Sequence, residues 1–335
     1  MIASILARRL GMAAVTLLGV AVIVFLLLRV APGDPIAMMI GPGAGAKDIA
    51  ALRARYGLDQ PLTVQFVIWL GGILRGDFGT SISLHRDVLE LLMERLPATL
   101  ELAVAALGVA VLLGVTMAIS GTLLRRGAGG SVLDAINGLA LAVPDFVWAL
   151  AFVLLLGVLW PVFPLSGRLD PTLSVPFHTG FQLLESLVTF HFGIADDILA
   201  HMAMPTLALA LPLAAVIARV LKEGLREAML SDYVLLARVK GLSETRLVIG
   251  EALRNAVGPT LALTGVQFTF LIGGTVIIER IFAYPGIGNM AIDAVINRDF
   301  PLIQGLILTF AVLFIALNLA VDLLVRLLDP RLRHG

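Results

Sequence analysis

Cysteine is absent and charge is scarce. With no thiol among 335 residues, disulfide frameworks, cysteine-ligated zinc, thiolate nucleophiles and iron–sulfur clusters are excluded together. Charged residues make up 14% of the chain and hydrophobic ones 59%, against about 25% and about 45–50% in an ordinary soluble domain. The 24 Lys+Arg balance the 24 Asp+Glu, so the basic surface that nucleic acid requires is missing as well. What remains is a mean hydropathy of +0.98, more apolar surface than one water-exposed core can hide. The solvent for that surface is lipid.

A hydrocarbon core of about 30 Å takes about 20 apolar residues in a helix. Leu10–Leu28, Leu102–Leu124, Phe146–Phe163, Ala256–Ile278 and Pro301–Val321 contain no Asp, Glu, Lys or Arg. A sixth run, Met202–Ala218, holds Pro205 and Pro212, which membrane helices tolerate where neighbours satisfy the freed carbonyls. The third span is expected to start near Ala135, with Pro144 and Asp145 inside it. The expectation is an all-α polytopic protein of six transmembrane helices. The first run reads as a retained span rather than a signal peptide, because its 19 uncharged residues exceed the usual apolar core of about 7–15 and no small-x-small cleavage site precedes Arg29–Pro35.

Placing both termini in the cytoplasm puts 14 of the 24 basic residues and eight of the 24 acidic ones on that side. The inside then carries +6 and the rest of the chain −6, in the sense of the positive-inside rule. The organisation expected is an N-terminal tail and first helix over 1–30, an outside loop over 31–97, a core of five helices over 98–327 and a cytoplasmic tail over 328–335.

Within the first outside loop, Leu62–Leu74 is too short to span, and Trp69 suits an interfacial or re-entrant piece. Val88, Leu91, Leu92 and Leu96 recur at helical spacing and are expected to lie along the outer face. The second outside loop, Pro164–His201, reads as polar and irregular. The cytoplasmic loop within 222–258 predicts two short helices, Asp232–Lys240 and then Ser243, as N-cap, through Asn255, around Gly241-Leu242. Leu235, Leu236, Val239, Leu247, Val248 and Leu253 stand there among Arg238, Lys240, Arg246 and Arg254. An apolar face with charged flanks fits a docked partner and fits equally a helix pair resting on anionic lipid.

Catalytic chemistry finds no foothold. Gly41-Pro42-Gly43-Ala44-Gly45-Ala46-Lys47-Asp48 lacks the Gly before Lys and the Ser/Thr after it that a phosphate loop needs. His178, His191 and His201 match no compact metal-ligand spacing, so neither a catalytic nor a metal site is assigned. Asp145 is different: a carboxylate inside a span costs about 2.5–3.5 kcal/mol on insertion scales and so faces the bundle interior or water. It either lines a path or caps groups freed by Pro144. Gln267 and Asn318 fit interhelical hydrogen bonds, and Gln267 is kept beside Asp145 as a candidate for the path.

Taken in order, the short motifs have a family likeness. Ala31-Pro32-Gly33-Asp34-Pro35, Tyr56-Gly57-Leu58-Asp59-Gln60-Pro61-Leu62, Gly76-Asp77-Phe78-Gly79 and Arg95-Leu96-Pro97-Ala98-Thr99-Leu100-Glu101-Leu102 lie in the first half. Asp232-Tyr233, Ala237-Arg238-Val239-Lys240-Gly241-Leu242, Ala252-Leu253-Arg254-Asn255, Tyr284-Pro285-Gly286-Ile287-Gly288, Arg298-Asp299-Phe300-Pro301 and Asp329-Pro330-Arg331 follow. The chain resembles the first permease subunit of ATP-binding cassette importers of the dipeptide, oligopeptide, glutathione and nickel group.

That resemblance implies a type I importer permease fold in the bacterial inner membrane. It implies a second homologous permease, two cytoplasmic ATPases that carry the ATP and Mg, and a periplasmic or lipid-anchored binding protein. No cofactor is then expected on this chain. The loop around Gly241 becomes the coupling element, with Asp232, Ala237, Arg238, Lys240, Gly241, Glu251, Arg254 and Asn255 as its contact residues and Gly241 as a hinge. Two departures stand out: Leu235-Leu236 where relatives carry Glu-Ala or a polar pair, and Asp145 where relatives carry a small or uncharged residue. Peptides lead as substrate, with nickel, glutathione or another small solute as alternatives. An ion-coupled secondary transporter using Asp145 is the rival mechanism.

Overall fold

The computed structural model describes residues 2–30, 60–125, 127–173 and 177–328. Ala31–Pro35, the glycine-rich Gly41–Asp48 stretch, Tyr56–Asp59 and Asp329–Arg331 lie outside the described residues. Eleven helices are used below: α1 Ile2–Val30, α2 Leu62–Leu74, α3 Val88–Leu123, α4 Ala128–Ala142, α5 Asp145–Leu159, α6 Gln182–Val188, α7 Phe192–Ala228, α8 Asp232–Val239, α9 Glu244–Ile281, α10 Ile287–Ile296 and α11 Phe300–Leu328. Among the described residues there is no strand, only one isolated bridge between Thr80 and Asp87. Among the described residues five helices are long and apolar enough to cross a membrane, and six if the bent pair α4 and α5 forms one span.

Several elements are longer than the uncharged runs that announce them. The helix holding Met202–Ala218 begins ten residues earlier, at Phe192, and runs unbroken through Pro205 and Pro212 to Ala228. The loop expected over Pro164–His201 is therefore shorter and less irregular than expected, and it contains α6 as well. Charge hid the extension: Asp197 and His201 are on the helix, where the Asp197 carboxylate accepts the Asp170 amide at 2.8 Å and His201 Nδ1 lies 2.9 Å from the Asp197 carbonyl. Val88, Leu91 and Leu92 likewise belong to the first turns of α3 rather than to a separate outer-face helix, and they are buried. Pro97 does not stop that helix.

The third span corrects the expectation in the other sense. It is broken, with α4 and α5 bent by 103° at Val143-Pro144. Proline at 144 biases Val143 to extended backbone, φ −93 and ψ 123, which ends α4.

The chain forms two compact units, Met1–Leu96 with Met290–Ala316 and Pro97–Asn289 with Leu317–Gly335. In the first, α1 packs on α2 through Phe25, Phe66 and Trp69, whose ring centroids lie 5.4–6.0 Å apart. Trp69 thus packs against the first helix. In the second, α7 is the central element, packed by α9, α4, α5 and α6. Small residues set its approach to α3, since a Cβ on Gly114 would stand 2.7 Å from Ile217 Cγ2 and 2.9 Å from the Ala214 carbonyl. This is the close backbone packing that membrane helices rely on where lipid removes the hydrophobic drive.

Candidate coupling loop

Helix α7 ends at Ala228 and the chain turns through Met229–Ser231 into α8. Ser231 is at the N-cap position, its backbone extended, while its hydroxyl bonds back to the Ala228 carbonyl. Asp232 sits in the first turn, where the helix dipole favours a negative charge. The far end closes by a Schellman motif: the Leu242 amide donates to the Ala237 carbonyl at 3.3 Å and the Gly241 amide to the Arg238 carbonyl at 3.0 Å. Gly241 takes φ +83, the left-handed conformation that glycine adopts without penalty, and a Cβ there would meet nothing within 4 Å. Its requirement is conformational. Leu242, the residue after it, packs into the same cluster as Ala237.

The two expected helices separate their apolar residues by destination. Val234, Ala237, Leu247 and Val248 are buried with Ala118, Leu221, Leu225, Ala252 and Ala256, and Leu253 packs against them. Leu235, Leu236 and Val239 point out, at 55%, 58% and 79% exposure. At the second helix, Ser243 has extended backbone but makes no side-chain cap bond, and Glu244 starts a helix that does not end at Asn255. It passes through a π-helical stretch, Leu247–Ala252, and continues as α9 to Ile281. The loop is therefore α8 plus the first three turns of a span, welded by one apolar cluster.

Of the sequence-chosen contact residues, Asp232, Lys240, Gly241, Glu251, Arg254 and Asn255 are exposed and Arg238 is half-buried. Ala237 faces inward, so it seats the loop rather than touching a partner. Arg238 pairs with Glu244 at 3.3 Å across the Gly241 turn.

Asp145 opens α5. Its Oδ1 accepts the Phe146 amide at 2.8 Å, and a Cβ on Gly274 of α9 would stand 3.3 Å from its Oδ2. The carboxylate thus caps locally at the start of α5 and lies beside a bare glycine of α9. Gln267 is half-buried on α9.

The motif residues that a search for contact surfaces passes over form buried carboxylate clasps. In the second unit, Glu279 is fully buried and accepts the Thr99 hydroxyl at 2.6 Å and the Asn289 amide at 3.0 Å, while Thr99 Oγ1 accepts the Ile287 amide at 2.9 Å. A Cβ on Gly286 would fall 2.3 Å from that carboxylate, and one on Gly288 2.9 Å from it and 2.6 Å from Val276 Cα. Nearby, Arg168 donates to Glu101 at 2.6 Å and to the Gly180 carbonyl at 2.9 Å, both side chains being buried. In the first unit, Asp299 accepts the hydroxyls of Ser81 and Ser83 at 2.5 and 2.7 Å and the Ser83 amide at 2.9 Å. Burial by itself would push this carboxyl up; the donors outweigh it and hold it below the usual carboxylate range. The available signal was an acid inside a quoted motif, as at Glu101 and Asp299; Glu279, between Ile278 and Arg280, lies in none of them.

Comparison with known proteins extends over the whole chain. Residues 110–334 match the family described as binding-protein-dependent transport system inner membrane component, and residues 1–103 match the N-terminal component of such systems. The chain belongs to this permease family. A di/tripeptide transport system permease protein, DppB, of Pseudomonas aeruginosa is 37% identical over 99% of both chains. The dipeptide permease DppB of Escherichia coli is 36% identical, and the glutathione permease GsiC of Salmonella choleraesuis 37%, each over 98% of both chains.

For this permease, Thr99 and Glu101 of the Arg95–Leu102 motif and the glycines of the Tyr284–Gly288 motif acquire a physical role, holding a buried polar network together. Among the described residues no three His, Asp or Glu side chains converge as a metal-binding group. Within this family fold α8 stands out as a short helix with exposed apolar side chains.

Proposed function

We propose that this permease, paired with a second homologous one, forms the path for uptake of short peptides across the bacterial inner membrane. The observation that carries the reading is full-length similarity to permeases of dipeptides, di/tripeptides and glutathione, itself a peptide. Both termini are cytoplasmic. Two separate ATPase subunits bind ATP and Mg, and a loaded binding protein delivers substrate on the outer face. The exposed Leu235, Leu236 and Val239 support α8 as the surface that seats on an ATPase, with Asp232, Arg238, Lys240, Glu251, Arg254 and Asn255 at its edge. This contact is more apolar than the Glu-Ala pair of relatives would make it. ATP binding pulls the loop, the buried cluster beneath it transmits the movement to α7 and α9, and hydrolysis resets the pair, so a remote nucleotide biases two states.

The test is a thermal-melt screen of the associated binding protein against di- and tripeptides, glutathione and nickel complexes. A ligand at 100 times its dissociation constant adds about 2.7 kcal/mol of stability. A rise with peptides is expected; a rise with nickel complexes alone would overturn the substrate. Uptake into ATP-free vesicles by this chain alone would replace the importer reading with the ion-coupled one through Asp145.

A further inference from the structure

A cavity of about 460 Å³ opens between α3, α4 and α7, at the end of the bundle where α7 leads into α8. Its charged lining is unequal. Arg125, Arg219, Lys222 and Arg226 face it against Asp134 and Glu223. Lys222 pairs with Asp134, and the Arg226–Glu223 pair is long, 3.9 Å, and about three-quarters exposed on both sides, a geometry that holds little energy. Arg125 and Arg219 form no ion pair among the described residues. Met117, Leu133 and Ala218 supply an apolar floor, and the Asn137 Oδ1 on the same wall is buried without a hydrogen-bond partner.

Two guanidiniums without carboxylates, a third only loosely paired, and an apolar floor at the end of a membrane bundle together define a ligand chemistry. We infer that this cavity binds a phosphate-bearing anion, with the phosphodiester headgroup of an anionic phospholipid as its occupant. The phosphate takes the bidentate guanidinium donors, to which its geometry is matched, and the start of the acyl chains covers Met117 and Leu133. The cavity adjoins the seat of α8: Thr122 on its wall follows Ala118 of the buried cluster by one turn, and Lys222 follows Leu221. The cavity's charges all belong to this chain and are independent of the solute transported.

The experiment is native mass spectrometry of the full-length chain, titrated with phosphatidylglycerol or phosphatidylcholine of identical acyl chains, alongside melting temperature in detergent with and without millimolar inorganic phosphate. The expected result is at least tenfold tighter retention of phosphatidylglycerol, lost in the double variant Arg125→Gln/Arg219→Gln. A melting shift with inorganic phosphate and no lipid preference would keep the phosphate chemistry and assign it to a soluble source. Equal retention of the two lipids with no phosphate shift, or a double variant that behaves as the native chain, overturns the inference. Should the double variant fail to fold, the native chain alone decides: the preference must collapse near 1 M salt, where the screening length is about 3 Å, and persistence there would refute a charge-based site.

Discussion

Glycines 273, 286 and 288 look alike in sequence and differ completely in what surrounds them. A Cβ on Gly273 would meet nothing within 4 Å, whereas one on Gly288 would strike backbone at Val276 and the Glu279 carboxylate. Gly288→Ala is therefore expected to cost about 1–3 kcal/mol of overpacking, while Gly273→Ala stays within about 1 kcal/mol of the native chain and on the stabilising side. Thermal unfolding in detergent compares them directly, and equal effects would remove the clasp argument. Asp299 offers a test in pH. Burial raises its carboxyl, but the hydroxyls of Ser81 and Ser83 and the Ser83 and Ile82 amides outweigh that and hold it below the ordinary value. The folded-state pKa being depressed, its stabilisation is complete above the unfolded value of about 3.9 and is lost as pH falls through the lower folded value. Asp299→Asn should leave a melting temperature that no longer falls through that acid window as the native one does, and should cost about 1–3 kcal/mol at neutral pH.

At the scale of the element, α8 carries two populations of apolar side chain that the alternation of leucine and valine does not distinguish. Leu236→Glu and Val239→Glu change exposed positions and are expected to shift stability by no more than about 0.5 kcal/mol, yet to abolish ATPase stimulation by the loaded binding protein in the assembled complex. Leu247→Ala removes a fully buried side chain and should cost about 2–5 kcal/mol. Retained stimulation in both glutamate variants would sink the docking surface. At Gly241 the φ of +83 makes asparagine tolerable and valine strained by about 1–2 kcal/mol. Proline would in addition lose the amide that closes the Schellman motif, so Gly241→Asn should keep stimulation while Gly241→Pro loses it.

For the whole molecule the open question is direction across the membrane, and the absence of cysteine makes it accessible. Thr245→Cys lies in the exposed first turn of α9 and His178→Cys in an exposed loop near the opposite ends of α3 and α7. With cytoplasmic termini, an impermeant thiol reagent should label His178→Cys in intact spheroplasts and Thr245→Cys only after permeabilisation. The reverse pattern would invert the topology and move the proposed coupling loop to the wrong side.

Composition and uncharged runs made the membrane and most of its helices legible, because lipid requires every backbone group to be satisfied within a helix and so leaves a long apolar stretch one reading; of the six spans expected, the third is broken and counts as one only if its bent halves are taken together. The short helix expected over Asp232–Lys240 was legible from its pattern and ends at Val239, while the left-handed cap that Gly241 forms is a feature of the structure. What the chain does at Asp145 was not, since a proline before a carboxylate is equally consistent with a kink inside a span and with the 103° break that packing of α4 and α5 on α7 selects. Nor could sequence join Thr99 to Glu279 or Ser81 to Asp299, 180 and 218 residues apart. Local pattern determines which segments are helices; only the tertiary structure, by bringing distant donors to a carboxylate that would otherwise be costly to bury, decides which motifs belong together.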